Sequence, residues 1–104
     1  MKLRDLDASF LRHEGNFFQR VATFAEAHGV VFLCPKCFGE NGGAVGTHSV
    51  ICWRPDRVPL DAVPGPGRWF MSGTSLDDLS LHPSVNLTGA GCKWHGWVKN
   101  GEAT

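Results

Sequence analysis

Gly29-Val30-Val31-Phe32-Leu33-Cys34-Pro35-Lys36-Cys37 is the stretch on which the fold turns. Its apolar run, half of it β-branched, reads as a buried strand that delivers two cysteines at its end. A second ligand pair of the same spacing, Cys92-Lys93-Trp94-His95, runs straight into Gly96. Two intervening residues let a tight backbone turn aim both side chains at one ion. Two such turns facing each other complete a tetrahedral site of three sulfurs and one nitrogen. The expected metal is Zn2+, and the expected ligands are Cys34, Cys37, Cys92 and His95. His48 and Cys52 are alternates for the fourth position, because the strand after the first turn could return either to the metal.

The bulk composition agrees with a small cross-linked domain. A chain of 104 residues buries only about two-thirds of its unfolded surface, so a metal tie is a useful addition. Seven Phe and four Trp supply a core, while thirteen Gly and six Pro predict short elements and long loops. The expected architecture is α+β: one domain over residues 1–104, with one main helix packed on a short, mainly antiparallel sheet. Ten basic residues balance ten acidic ones, which argues against nucleic acid as a partner, since that binding rests on clustered Lys and Arg. Arg54, Arg57 and Arg68 are close in sequence, but Asp56 and Asp61 interrupt them. Residues 1–10 lack the apolar stretch of a signal peptide, and no run is long enough to cross a membrane. Four cysteines in that setting favour reduced thiols and metal over disulfides, and so a cytoplasmic location in a bacterial host cell.

Along the chain, residues 1–15 read as a polar lead-in. Phe17, Val21, Phe24 and Ala25 fall at spacings of three and four, which predicts a helix over 17–28 capped by Asn16 and stopped by Gly29. Residues 38–47 read as a glycine-rich loop without the Gly-Lys-Ser/Thr ending that cradles phosphate. A second strand is expected over 48–53, an extended proline-rich loop through Pro55, Pro59, Pro64 and Pro66, and short strands over 68–71 and 84–88. Asn100-Gly101 between two short runs is a strong hairpin signal.

Several chemistries are weighed against the zinc site. Cys-x-x-Cys at a helix start would suit thiol redox work, but the residues after Cys37 read as loop. The His-x-Glu of zinc deaminases is absent, and only the second ligand pair has the spacing of a Rieske centre. Three thiolates donate enough charge to leave a metal-bound water weakly acidic, which disfavours hydrolysis. His48 remains a candidate base beside an open metal position, against a plainer role at the rim of the site. Trp94 and Trp97 flank His95 and read either as core or as an exposed anchor for a protein partner.

Several of these stretches together resemble a family of small, uncharacterised proteins encoded in phages and prophages. They are Cys34-Pro35-Lys36-Cys37-Phe38, Gly46-Thr47-His48, Ile51-Cys52-Trp53, Pro64-Gly65-Pro66-Gly67-Arg68-Trp69, Leu76-Asp77-Asp78-Leu79, Cys92-Lys93-Trp94-His95-Gly96 and Asn100-Gly101-Glu102. Pro83-Ser84 matches the Pro-Ser segment of a broader group of domains of unknown function that shares the Cys-rich turn and terminal Cys-x-x-His hairpin. The resemblance implies a zinc-binding fold and a phage origin, and it carries no activity. The expected function is that of a zinc-stabilised phage-type accessory protein, a non-enzymatic interaction module for a host or phage protein. The alternative is a zinc-dependent hydrolase using His48.

Overall fold

The structure, a computed structural model, describes residues 1–65, 67–87 and 92–104. The opening stretch forms β3 (Gly29–Leu33), flanked on one side by β1 (Ser9–Glu14) and on the other by β4 (Ser49–Trp53). With β2 (Phe17–Val21) beyond β1, the strands make a four-stranded antiparallel sheet in the order β2-β1-β3-β4. Both faces of β3 are covered, which is why it reads as a continuous apolar run. Val30 and Phe32 point into the larger core with Phe10, Val50 and Cys52, and Val31 points the other way with Leu11, Trp53 and Val58.

The expected helix over 17–28 is instead β2 followed by a 3-10 turn at Phe24–Glu26. Gly15 takes φ +62°, and Glu14 pairs with Phe17, so Gly15-Asn16 closes a two-residue hairpin. Tertiary pairing with β1 overrides the helical spacing, and Phe17 and Phe18 stay exposed. The helix of the fold is α1 (Pro35–Asn41), where a ligand turn and loop were expected. Cys34 is its N-cap, Pro35 occupies the first turn, and Gly42 ends it at φ +68°. The α+β class therefore holds, with its helix between β3 and β4.

The C-terminal half adds three two-stranded ladders. They pair β5 (Phe70–Ser72) with β6 (Ser80–His82), β7 (Val85–Asn86) with β8 (His95–Gly96), and β9 (Val98–Lys99) with β10 (Glu102–Ala103). Asn100 and Gly101, at φ +49° and +77°, make the tight turn expected of Asn-Gly between β9 and β10. The strand expected over 84–88 forms as β7, and Thr88 lies outside the described residues, as does Pro66 of the proline-rich loop. That loop is gathered by Arg68, whose guanidinium donates to the carbonyls of Pro59, Ala62, Pro64 and Gly67. Arg54 and Arg57 both pair with Asp56, so the three arginines form no free basic patch. Among the described residues, no helix is long and apolar enough to cross a membrane.

Gly29 is where the sheet leaves no room. A Cβ there would lie 2.5 Å from the Cys52 carbonyl oxygen and 2.6 Å from the Trp53 ring. The carbonyl is backbone and cannot swing aside. Gly29→Ala is therefore expected to cost about 1–3 kcal/mol by overpacking, a drop of roughly 5–15 °C in Tm for a domain of this size. A thermal melt followed by circular dichroism checks this, and an unchanged midpoint would contradict the packing described.

Candidate functional site

Cys34 ends β3 fully buried. Its N–H donates to the His48 carbonyl at 2.9 Å, so the chain that leaves through α1 returns to it just before β4. Cys37 sits on α1, three residues beyond Cys34, its N-cap. Cys92 arrives from the far end of the sequence, with its Sγ 3.2 Å from that of Cys34 and its carbonyl accepting from Lys36 Nζ at 2.9 Å. The ligand atoms of Cys34, Cys37, His48 and Cys92 all lie within 4.8 Å of one another. A tetrahedral ion with sulfur bonds of ~2.3 Å sets its ligands roughly 3.7 Å apart, so the four side chains need only small adjustments to close on one metal. His48 Nε2 is buried and has no hydrogen-bond partner. A metal would satisfy that orphaned atom. These four residues are close enough to hold a metal ion.

The charge in the metal-free cluster is unevenly held. The Cys92 thiol is drawn down to about 7, first by the adjacent His48 ring, against partial burial, and further by the Cys34 and Cys37 thiols. Cys37 is pushed up to about 12, chiefly by its contact with Cys92, and burial raises Cys34. Cys92 is thus the most readily ionised of the three thiols. Metal binding must expel the remaining protons, as thiolate sites do.

Of the other expected ligands, Cys52 points into the core, where burial pushes its thiol up. The structure puts His48 where His95 was expected, and takes His95 elsewhere. His95 lies on β8, directly opposite Asn86 of β7, with Val85 opposite Gly96. Ser84 is two residues before Asn86 on the same face, so it stands diagonally across from His95. Its Oγ lies 2.9 Å from His95 Nε2. Trp69 Nε1 fixes the Ser84 carbonyl at 3.2 Å, and the Leu87 N–H extends the ladder to the Trp94 carbonyl at 2.8 Å. Trp94 anchors the other side of β8 by packing edge-to-face on Phe32. Alternation along the strand therefore turns His95 outward.

The two tryptophans beside His95 separate. Trp94 is core, while Trp97 is partly exposed with Lys99 Nζ 4.9 Å over its ring. Sequence reasoning gave Ser84 no chemical role. It lies outside any Gly-x-Ser-x-Gly elbow, and nothing local marks it as a nucleophile. What pairs it with His95 is the register of two short strands, which local patterning does not encode.

A seryl hydroxyl hydrogen-bonded to an imidazole is the pairing used in nucleophilic hydrolysis. Residues 7–104 match the family described as "Bacterial ubiquitination-like system serine protease (BubE)", and the chain belongs to that family. No curated protein and no solved structure gives a significant match. The family is bacterial; nothing in the match refers to phages or prophages. It overturns the expectation of a non-enzymatic, zinc-stabilised interaction module, because the family is one of serine proteases. Nor does it specify the zinc-dependent hydrolase weighed beside that expectation.

The unequal thiols give a direct chemical test. Metal-free protein treated with iodoacetamide near pH 7 should alkylate Cys92 at least about tenfold faster than Cys37, because the thiolate is the nucleophile. Cys52 should react only on unfolding. Peptide mapping by mass spectrometry reads all of these sites, and equal rates at Cys37 and Cys92 would contradict the charge distribution.

Proposed function

We propose that the protein is a serine protease in which Ser84 is the nucleophile and His95 the general base, on a scaffold tied by Zn2+ at Cys34, Cys37, His48 and Cys92. The observation that carries the reading is the 2.9 Å contact between Ser84 Oγ and His95 Nε2 in a chain of a serine-protease family. His95 Nε2 takes the hydroxyl proton as Ser84 Oγ attacks the scissile carbonyl. The same nitrogen then returns the proton to the departing amine, leaving an ester on Ser84 that water hydrolyses with His95 again as base. The indole N–H of Trp69, donating to the Ser84 carbonyl, and the ladder that holds His95 keep the two groups in register before substrate arrives.

The metal's role in this reading is structural. Zn2+, when bound, closes a loop between the start of α1 and the turn that leads into β8. Three thiolates and one imidazole are a usual structural set, and three thiolate charges leave little Lewis acidity for a bound water. The family description places BubE proteins in a bacterial ubiquitination-like system. The substrate we assign is accordingly a protein of such a system, cut at a peptide or isopeptide bond. Reduced cysteines, none of them paired in a disulfide, favour action in the bacterial cytoplasm.

The test uses the ubiquitin-like protein of the same system, extended at its C-terminus by a reporter peptide. Ser84→Ala and His95→Ala should each lower cleavage at least about a thousandfold while the circular dichroism spectrum is kept. Substantial cleavage by Ser84→Ala would sink the assignment. Metal content separates the two centres independently of turnover. The wild type, Ser84→Ala and His95→Ala should all carry one equivalent of zinc by elemental analysis, whereas His48→Ala and Cys92→Ser should lose it and melt at lower temperature.

A further inference from the structure

A trough runs from Ser84 past Ile51 of β4 toward Phe18 of β2. A cavity of about 470 Å³ has Ser84 and Pro83 at one end and Ile51, Pro64, Trp69 and Leu87 as walls. A second cavity of about 510 Å³ shares Ile51, Pro64 and Leu87 with it and continues to Val63 and Phe18. Val63 is 80% exposed and Phe18 is 48% exposed, an unusual display of apolar surface leading away from a nucleophile. His48 of the metal cluster lines the second cavity. Among the described lining residues the one Lys or Arg is Arg68, which spends its guanidinium on four backbone carbonyls of its own loop. Those bonds, with Trp69 N–H donating to the Trp53 carbonyl at 2.9 Å and Trp53 Nε1 to the Val63 carbonyl at 3.1 Å, hold the walls in place. Each cavity falls within the range of ~300–1,000 Å³ of preformed binding sites.

The direction of the trough decides which half of a substrate it would take. Ser84 and Asn86 line the first cavity and His95 lines neither, so the trough reaches the nucleophile and stops short of the base. Protonated His95 must reach the departing amine, which puts the leaving half of the substrate near His95 and the acyl half in the trough. We infer that the trough is the acyl-side substrate cleft, and that it receives an extended polypeptide bearing apolar side chains within the four residues before the scissile bond. Along an extended chain, alternate side chains face the same wall. One apolar side chain then enters the Ile51–Trp69–Leu87 cavity while another covers Phe18 and Val63. This cleft assignment rests on the reading of Ser84 as nucleophile.

The experiment separates the two. Labelling of the wild-type protein with a small fluorophosphonate reports Ser84 without needing the trough. Absence of label at Ser84 would defeat the nucleophile reading and leave the trough to be judged by binding. For binding, a Leu/Val-rich pentapeptide with a free C-terminal carboxylate, the product of acyl-side cleavage, is titrated into Ser84→Ala. It should shift the NMR signals of Ile51, Trp69 and Leu87 and bind at least tenfold tighter than an Asp/Lys-rich pentapeptide. Leu87→Asp should weaken it at least tenfold. Val63→Asp, at an exposed position where loss of fold is not at issue, should weaken it severalfold. With fluorogenic peptide amides, apolar residues before the cut should raise kcat/KM at least tenfold over charged ones. Equal binding of both peptides, shifts confined to the His95 side, or preference only for residues after the cut would each overturn the cleft.

Discussion

The approach of Cys92 to Cys34, two sulfurs 3.2 Å apart across a sequence separation of 58 residues, is the constraint on which the C-terminal half depends. Among the described residues, that half has three two-stranded ladders and no sheet of its own large enough to stand alone. Closing a loop of this length removes roughly 4 kcal/mol of chain entropy from the unfolded state if a metal acts as a disulfide would. A metal tie there would act close to the Ser84–His95 pair, because Cys92 and His95 share one short turn. Trp94, between them, is buried against Phe32 of the central strand. The turn is thus held by a sulfur cluster at one end and an aromatic anchor in the middle, and the imidazole projects from its other face.

This arrangement explains how so small a protein can hold a seryl–imidazole pair in place. Neither Ser84 nor His95 lies in the main sheet. Their relation comes from a ladder with just two register pairs, Val85 with Gly96 and Asn86 with His95, which is too short to be stable in isolation. It is supported by Trp69 bonding the Ser84 carbonyl and by the core contacts of Val85 and Trp94. The positioning energy of the pair is borrowed from burial several residues away, where mutation would disturb its geometry without touching either side chain.

How much of this could be read from the residues depends on the range of the interaction. The buried strand at 30–33, the strand at 48–53 and the Asn100-Gly101 hairpin are written in local pattern, and the structure has them, the first as part of β3. The apolar spacing from Phe17 to Ala25 was misleading because a Gly-Asn turn pairs that segment with β1, and the pairing exposes the very phenylalanines that suggested a helical face. Cys34, Cys37 and Cys92 were legible as a group by their spacing. His48 outranks His95 in the cluster because α1 reverses the chain and a backbone bond ties His48 to Cys34. Pro83-Ser84 stood out only as a motif of the resemblance, and the pairing of Ser84 with His95 was illegible because it is set by a cross-strand diagonal.

The double burial of β3 has a dynamic counterpart. Its neighbours β1 and β4 both bond to it, and its side chains divide between two separate apolar clusters. Detaching either neighbour would free only the alternate amides bonded to it, while the other ladder and the opposite cluster remain in place. The N–H groups of Val30 and Val31, which face opposite neighbours, become exposed together only when both sides of β3 open. Their hydrogen exchange therefore serves as a built-in gauge of global stability, against which the looser proline-rich and C-terminal segments can be ranked.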